Sequence, residues 1–264
     1  MTTMDETTAE VETRKGGYEV WSPRVVPPIG VELDDDQKLA IVFRWLARED
    51  FAENLIGHIT WQRPGDSTML VNPWGLWWHE IKSSDICEID ENANVVRGKW
   101  DVTPAIHIHT ELHRRRPDAR VVIHNHPYWV SLLASVGRLP GLIHQTSSMF
   151  DGDLKFVQEY GGEVDSAELG AEVAEAIGDS KVTFLASHGI LITGETLEEA
   201  TYRAASIERA CRMAVHVSLL QADVLPMAAG LVAGIKTSLL ERGSDVYFAG
   251  MARQMIKSEP EVLL

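Results

Sequence analysis

The chain has only two cysteines in 264 residues, Cys87 and Cys211, far apart and in no CxxC arrangement. A disulfide framework is therefore not expected, and a reducing compartment fits. No apolar run reaches the roughly 18 residues that a membrane span needs. The N-terminus also lacks the basic-then-apolar order of a signal peptide. The expected location is the cytoplasm. Positive charge is scarce: 24 Lys and Arg stand against 39 Asp and Glu, a formal charge of −15. Nucleic acids and anionic membranes need compensating cations, so neither is an expected partner, and small molecules are. The one basic run, Arg114-Arg115-Arg116, is too short to reverse this and reads as a solvated helix end. Residues 1–17 hold almost no large apolar side chains and read as a disordered tail. Pro23, Pro27 and Pro28 mark an extended lead-in. No repeat or second linker follows, so the expected division is a tail over 1–28 and one domain over 29–264.

What is present suits a globular domain: 45% hydrophobic and 24% charged residues leave room for a sizeable core. Asp34-Asp35-Asp36 ahead of QKLAIVFRWLARED, with apolar residues at helical spacing, predicts the first helix. LIGHITWQRP alternates as a strand does. MLVNPWGLWWHEI predicts a strand, an NPWG turn and a second strand. ICEIDENANVVRGKW predicts a hairpin turning at 91–94. Pro104 opens a helix through AIHIHTELHRRR that Pro117 closes. VVIHNHP predicts a short strand, WVSLLASVG a helix ending at Gly137, and SAELGAEVAEAIGDS a helix opened by Ser166. KVTFLASHGILITG reads as a strand pair bent at 187–189. The stretch from Leu197 to Ala222 is the longest helix, with another near 229–241 and a helical or irregular end. Strands and helices interleave, which predicts a layered α/β domain.

Chemistry concentrates in the histidines. In a strand, positions i and i+2 leave the same face, so His124 and His126 project side by side. Neutral imidazole is a common ligand for zinc, manganese, iron and similar ions. Pro127 ends regular pairing and leaves the pair at a strand end. His188 closes the apolar strand KVTFLA, and Gly189 permits a tight bend that presents it inward. Together they make a three-histidine site with open positions, the pattern of a catalytic metal.

GHIT at 57–60, NPWG at 72–75, HTELHRRRPDARVVIHNHP at 109–127, EYGG at 159–162 and SHGILITGETLEEA at 187–200 resemble the class II aldolase/adducin family over most of residues 35–220. The resemblance implies a three-layer α/β/α sandwich with a mainly antiparallel sheet. It implies a tetramer with active sites at subunit interfaces, and one divalent ion (Mn, Zn, Fe or Co) per subunit on His124, His126 and His188. It also shows departures. The sugar-phosphate aldolases carry Ser-Ser-Glu ahead of the histidine helix, and that Glu ligates the metal and moves the proton. Here the stretch is Thr103-Pro104-Ala105. Their phosphate-holding places read Gly57-His58 and Asn72-Pro73-Trp74-Gly75 here. Their proton-donating tyrosine falls near Ile143-His144-Gln145, without a Tyr.

An intact triad without the glutamate implies a metal-dependent carbon–carbon lyase. A decarboxylase of a hydroxylated aromatic or pyridine carboxylic acid, in aromatic catabolism, is favoured over an aldolase on a non-phosphorylated hydroxy-carbonyl compound. An Fe(II) oxygenase and a non-enzymatic adducin-like scaffold stand as further alternatives. His109 is assigned the catalytic role, with His58 and His79 as competitors. His58, Asn72, Trp78, His79 and Tyr160 are assigned to substrate. Trp74, Trp77 and Trp78 offer either an aromatic wall or ordinary packing. His113 is expected to be structural and Glu111 a solvated helix residue.

Overall fold

The computed structural model describes residues 25–158 and 164–264. The expected tail through residue 24, and Tyr160, lie outside the described residues. Residues 25–34 form no helix or strand. The helix α1 (Asp35–Arg48) starts where the acidic run predicts. The Asp34 carboxylate accepts from the Gln37 backbone N–H while the Gln37 side chain accepts from the Asp34 N–H, so two otherwise orphaned donors are satisfied reciprocally.

Eight strands follow: β1 (His58–Trp61), β2 (Met69–Val71), β3 (Cys87–Ile89), β4 (Val95–Arg97), β5 (Val121–Asn125), β6 (Leu154–Val157), β7 (Val182–Leu185) and β8 (Ile190–Gly194). They form one sheet in the order β4-β3-β2-β1-β5-β8-β7-β6. Among the described residues only the β6–β7 pairing is parallel. The helices are α2 (His107–Arg115), α3 (Tyr128–Ser135), α4 (Ala167–Ile177), α5 (Leu197–Leu219), α6 (Ala229–Ser238) and α7 (Ser244–Ser258).

Strand alternation sorts the helices into two layers. Val121 and Ile123 of β5, with Ile190 and Ile192 of β8, face the large core shared with α1, α3, α5 and α7. Val122 and Leu191 face the other way, onto Ile108 and Leu112 of α2 and Ala174 and Ile177 of α4. This is the expected three-layer α/β/α arrangement on a mainly antiparallel sheet. Its consequence for function is that His124 and His58, directly opposite each other across β5 and β1, share the α2 face.

Two expectations fail locally. The stretch after NPWG is a turn, not a strand. Glu80 closes it, its backbone N–H donating to the Trp77 carbonyl and its carboxylate accepting from the Trp77 N–H. Core packing drives this. Trp78 is fully buried, edge-on to Phe43 at 5.0 Å and stacked on Phe51 at 6.3 Å, with its indole N–H donating to the Gly57 carbonyl. The Arg114–Arg116 run is likewise not uniformly solvated. Arg114 is exposed and pairs with Glu111, but Arg116 is buried. Its guanidinium donates to the carbonyls of Gly178 and Ser180 at 3.0 and 2.8 Å, to Asp118 and to the Thr193 hydroxyl. The Arg-Pro-Asp sequence thus ties the end of α2 to the start of β7.

Replacing Arg116 by Met strands those carbonyls without a donor. The expected loss is about 2–4 kcal/mol of unfolding free energy. Urea denaturation checks it, as a lower midpoint at unchanged slope.

Candidate metal centre

The site forms where β5 ends beside the β7–β8 turn. His124 is the penultimate residue of β5, and His126 lies just past its end. In the turn, Ser187 takes the left-handed conformation at φ 53°. Gly189 does not need its freedom of φ, as the sequence suggested. It is needed because a Cβ there would lie 2.5 Å from both the Asn125 carbonyl oxygen and His126 Cδ2. The turn thus packs directly on the HNH segment, and His188 joins the pair. Ring centroids are 5.1 Å apart for His124–His126, 4.8 Å for His124–His188 and 4.5 Å for His126–His188. One nitrogen from each lies within 4.8 Å of the others.

Hydrogen bonds show which ring nitrogen is left free in two of the three. His124 Nδ1 lies 2.9 Å from the Ile190 carbonyl, which can only accept, so Nδ1 carries the proton and Nε2 the lone pair. His126 Nδ1 lies 2.9 Å from a Glu53 carboxylate oxygen, with the same result. His126 Nε2 is buried and has no hydrogen-bond partner. A ring held by a carboxylate or carbonyl behind it, with a bare nitrogen in front, is how proteins present imidazole to a metal. Burial, then the neighbouring imidazoles, holds His124 well below the usual histidine range; burial, then His126, brings His188 down to about 4. Both rings are neutral at pH 7. The donor set therefore fits a divalent ion such as zinc, manganese, iron or cobalt.

A cavity of about 470 Å³ lies over this face. The imidazoles meet it together with His58, Asn72, Trp74 and Ala105. Asn72 is there, but its amide is spent on the backbone of Ile59, Gly57 and Pro73. His58 lines the cavity with a buried Nε2 that has no partner, and burial holds it down to about 3. His109 does not line the cavity. It is fully buried behind His58, ring centroids 4.4 Å apart, and its Nδ1 is 2.9 Å from Thr60 Oγ1. The same hydroxyl is 2.7 Å from His113 Nε2, which makes His113 structural. Trp78 is in the core, and His79 is exposed, beside Trp77 at 5.6 Å and away from the cavity. Trp74, and not Trp78, lines the cavity.

Two residues escaped the sequence reading. Glu53, 71 residues ahead of His124, braces His126; no spacing rule marks it. Glu208 is buried on α5 and accepts the backbone N–H groups of Trp129 and Val130 at 2.9 and 3.0 Å, capping α3. Burial pushes it up to about 7, against those two hydrogen bonds. With Asp50, Glu53, His126 and His188 it lines a second cavity of about 660 Å³.

Residues 37–215 match the class II aldolase and adducin N-terminal domain family. The chain belongs to that family. Class II aldolases are generally divalent-metal dependent, are typically oligomeric and act on small molecules. Two Streptomyces proteins are each 31% identical over 186 residues, 69% of this chain. They are decarboxylase NovR of S. niveus, covered to 67%, and the 4-hydroxy-3-prenylphenylpyruvate oxygenase/4-hydroxy-3-prenylbenzoate synthase of S. roseochromogenus, covered to 65%. A 3,4-dihydroxyphthalate decarboxylase of Arthrobacter keyseri is 28% identical over 69% of this chain and 78% of that protein. Of the nematode adducin-related protein 1 the chain spans only 25%. Among solved structures, the L-fuculose 1-phosphate aldolase of Glaciozyma antarctica superposes with a TM-score of 0.74 over 87% of this chain and 91% of that one, at 23% identity, and this shows the shared fold. Among the described residues no helix is long and apolar enough to cross a membrane.

Glu53→Gln removes the carboxylate behind His126 and is expected to weaken divalent-metal binding about 10- to 100-fold, read by calorimetric titration. The buried histidines also make the metal-free protein acid-sensitive. Burial holds His113 down to about 4 from the usual 6.5. Between those values the unfolded chain binds a proton that the folded one does not. Stability is therefore unaffected above pH 6.5 and is lost as pH falls towards 4, by about 3 kcal/mol for each such site. Scanning calorimetry of the chelator-treated protein should show Tm dropping from pH 7 to pH 5, and less steeply in His113→Gln.

Proposed function

We propose that this chain is a divalent-metal-dependent carbon–carbon lyase, and specifically a decarboxylase of a hydroxylated aromatic or pyridine carboxylic acid. One observation carries the reading. Three imidazoles converge on a cavity whose wall holds Ala105, at the place where the family resemblance puts the aldolase glutamate. Among the described residues that line this cavity there is no carboxylate to serve as the aldol base, while the three imidazoles that would hold the ion are together.

A bound divalent ion would supply Lewis acidity towards a carboxylate and an adjacent oxygen, drawing electron density from the ring. The protein's own groups do the rest. His124 and His126 are locked by Ile190 and Glu53 so that their bare nitrogens need no reorganisation. His58 presents an unpartnered Nε2 in the cavity. Being neutral at pH 7, it can take the proton of a substrate hydroxyl and deliver it to the ring carbon that loses CO2, so that a C–H bond replaces the broken C–C bond; it is no resting cationic acid. His109, with Thr60 and His113 behind it, positions His58 and does not touch substrate. Leu55, Ile56, Ile108 and Val164 give the cavity apolar walls that exclude water around a ring. The two relatives named decarboxylases support the same reading, and the expected active site at a subunit interface is part of it.

Manganese- or zinc-loaded protein is expected to release CO2 from an ortho-hydroxy aromatic acid and to stop on chelation. Ala105→Glu should lower that rate about tenfold or more by crowding the open face of the site. CO2 release that survives complete metal removal would contradict the proposal. A second reading, a metal-dependent oxygenase, is favoured by the equally similar relative named as one; oxygen uptake coupled to substrate loss would select it.

A further inference from the structure

The helix α3 bears on two of the three segments that carry the imidazoles. His126 and Pro127 lead straight into its first residue, Tyr128. Along its length, the Ser131 hydroxyl donates to the His188 carbonyl at 3.4 Å, and the Ala134 carbonyl accepts from the Ser187 N–H at 3.4 Å. A shift of α3 therefore moves His126 and His188 relative to His124, which is held inside β5.

The start of α3 has no side-chain cap of its own. Its N-cap is Pro127, which offers nothing to the first-turn N–H groups that a helix leaves unpaired. Glu208, on α5, supplies the cap from outside. One carboxylate oxygen accepts the Trp129 N–H at 2.9 Å and the other the Val130 N–H at 3.0 Å. The negative charge also sits at the positive end of the helix dipole. Glu208 is only 4% exposed, and burying a carboxylate is costly unless hydrogen bonds answer it. A carboxylate brings two acceptors to two neighbouring N–H groups. The isosteric Gln would turn one of them into a donor facing a donor. Both bonds lie within one chain. We propose that Glu208 is a positioning residue for the metal centre. By pinning the first turn of α3 to α5, it sets the spacing of His126 and His188 and so the grip of the triad on a divalent ion. The inference rests on the metal-dependent reading of the triad and adds a residue that acts on it through α3.

Cobalt(II) is the probe, because its visible absorption reports the geometry of the ligands as well as occupancy. Full-length protein is stripped with chelator and titrated with cobalt. The native chain is expected to bind the ion at the triad. Glu208→Gln is expected to bind it about tenfold more weakly and with shifted absorption bands. Arg116→Met, which loosens the fold away from α3, should keep the native affinity and bands. If Glu208→Gln does not fold, Glu208→Asp replaces it. Asp keeps both acceptors at a shorter reach and should weaken cobalt at least about threefold, again with shifted bands. Native affinity and bands in a folded Glu208 variant overturn the proposal and leave the triad's role standing. An equal loss in Arg116→Met overturns it too, because general loosening then explains the effect. A native chain that takes up no cobalt overturns both the proposal and the metal-dependent reading.

Discussion

The amide of Asn125 is the interaction on which the site depends. Its side chain is fully buried between the two histidines of the HNH segment, on the opposite face of the strand. Its oxygen accepts from the backbone of Glu53 at 3.1 Å and of His126 at 2.6 Å, and its nitrogen donates to the Ile56 carbonyl at 3.0 Å. One side chain thereby anchors the loop before β1 to the end of β5. That anchor puts Glu53 behind His126 and brings Gly57 so close that a Cβ would lie 2.3 Å from the Asn125 nitrogen. It also fixes the start of β1, and so His58 opposite His124. No other amino acid offers both a donor and an acceptor at that length without charge, except a longer and looser Gln.

A second constraint is electrical. Five imidazoles, from His58, His109, His113, His124 and His188, are held below their usual pKa range, with burial the first cause in each. Collecting so many in one layer is tolerable only because they stay neutral, and neutral imidazole is the form that ligates metal. The same desolvation that makes the site ligand-competent makes it intolerant of acid.

Much of this was legible in the sequence, for physical reasons that differ by element. The period-2 rule placed His124 and His126 on one face, and strand length and a following Gly marked His188. The capping pattern at Asp34 and Ser166 gave correct helix starts because caps are local chemistry. The failures are tertiary. Trp78 was indistinguishable from Trp74 by composition, and only the pocket between Phe43 and Phe51 decides that it packs inward. His109 shares a helix face with His113, but whether that face meets the cavity or a buried hydroxyl is set by Thr60 on another strand. Glu53 and Glu208 act across 73 and 78–79 residues of sequence, beyond any motif.

The proposed function stands on one ion held by three imidazoles, with Ala105 at the place where the resemblance puts a fourth protein ligand. Anomalous diffraction at the metal edge, on crystals grown with manganese or zinc, tests this directly. One peak per chain is expected, within bonding distance of His124, His126 and His188 and of no carboxylate. A peak elsewhere, or none between the three rings, would contradict the account.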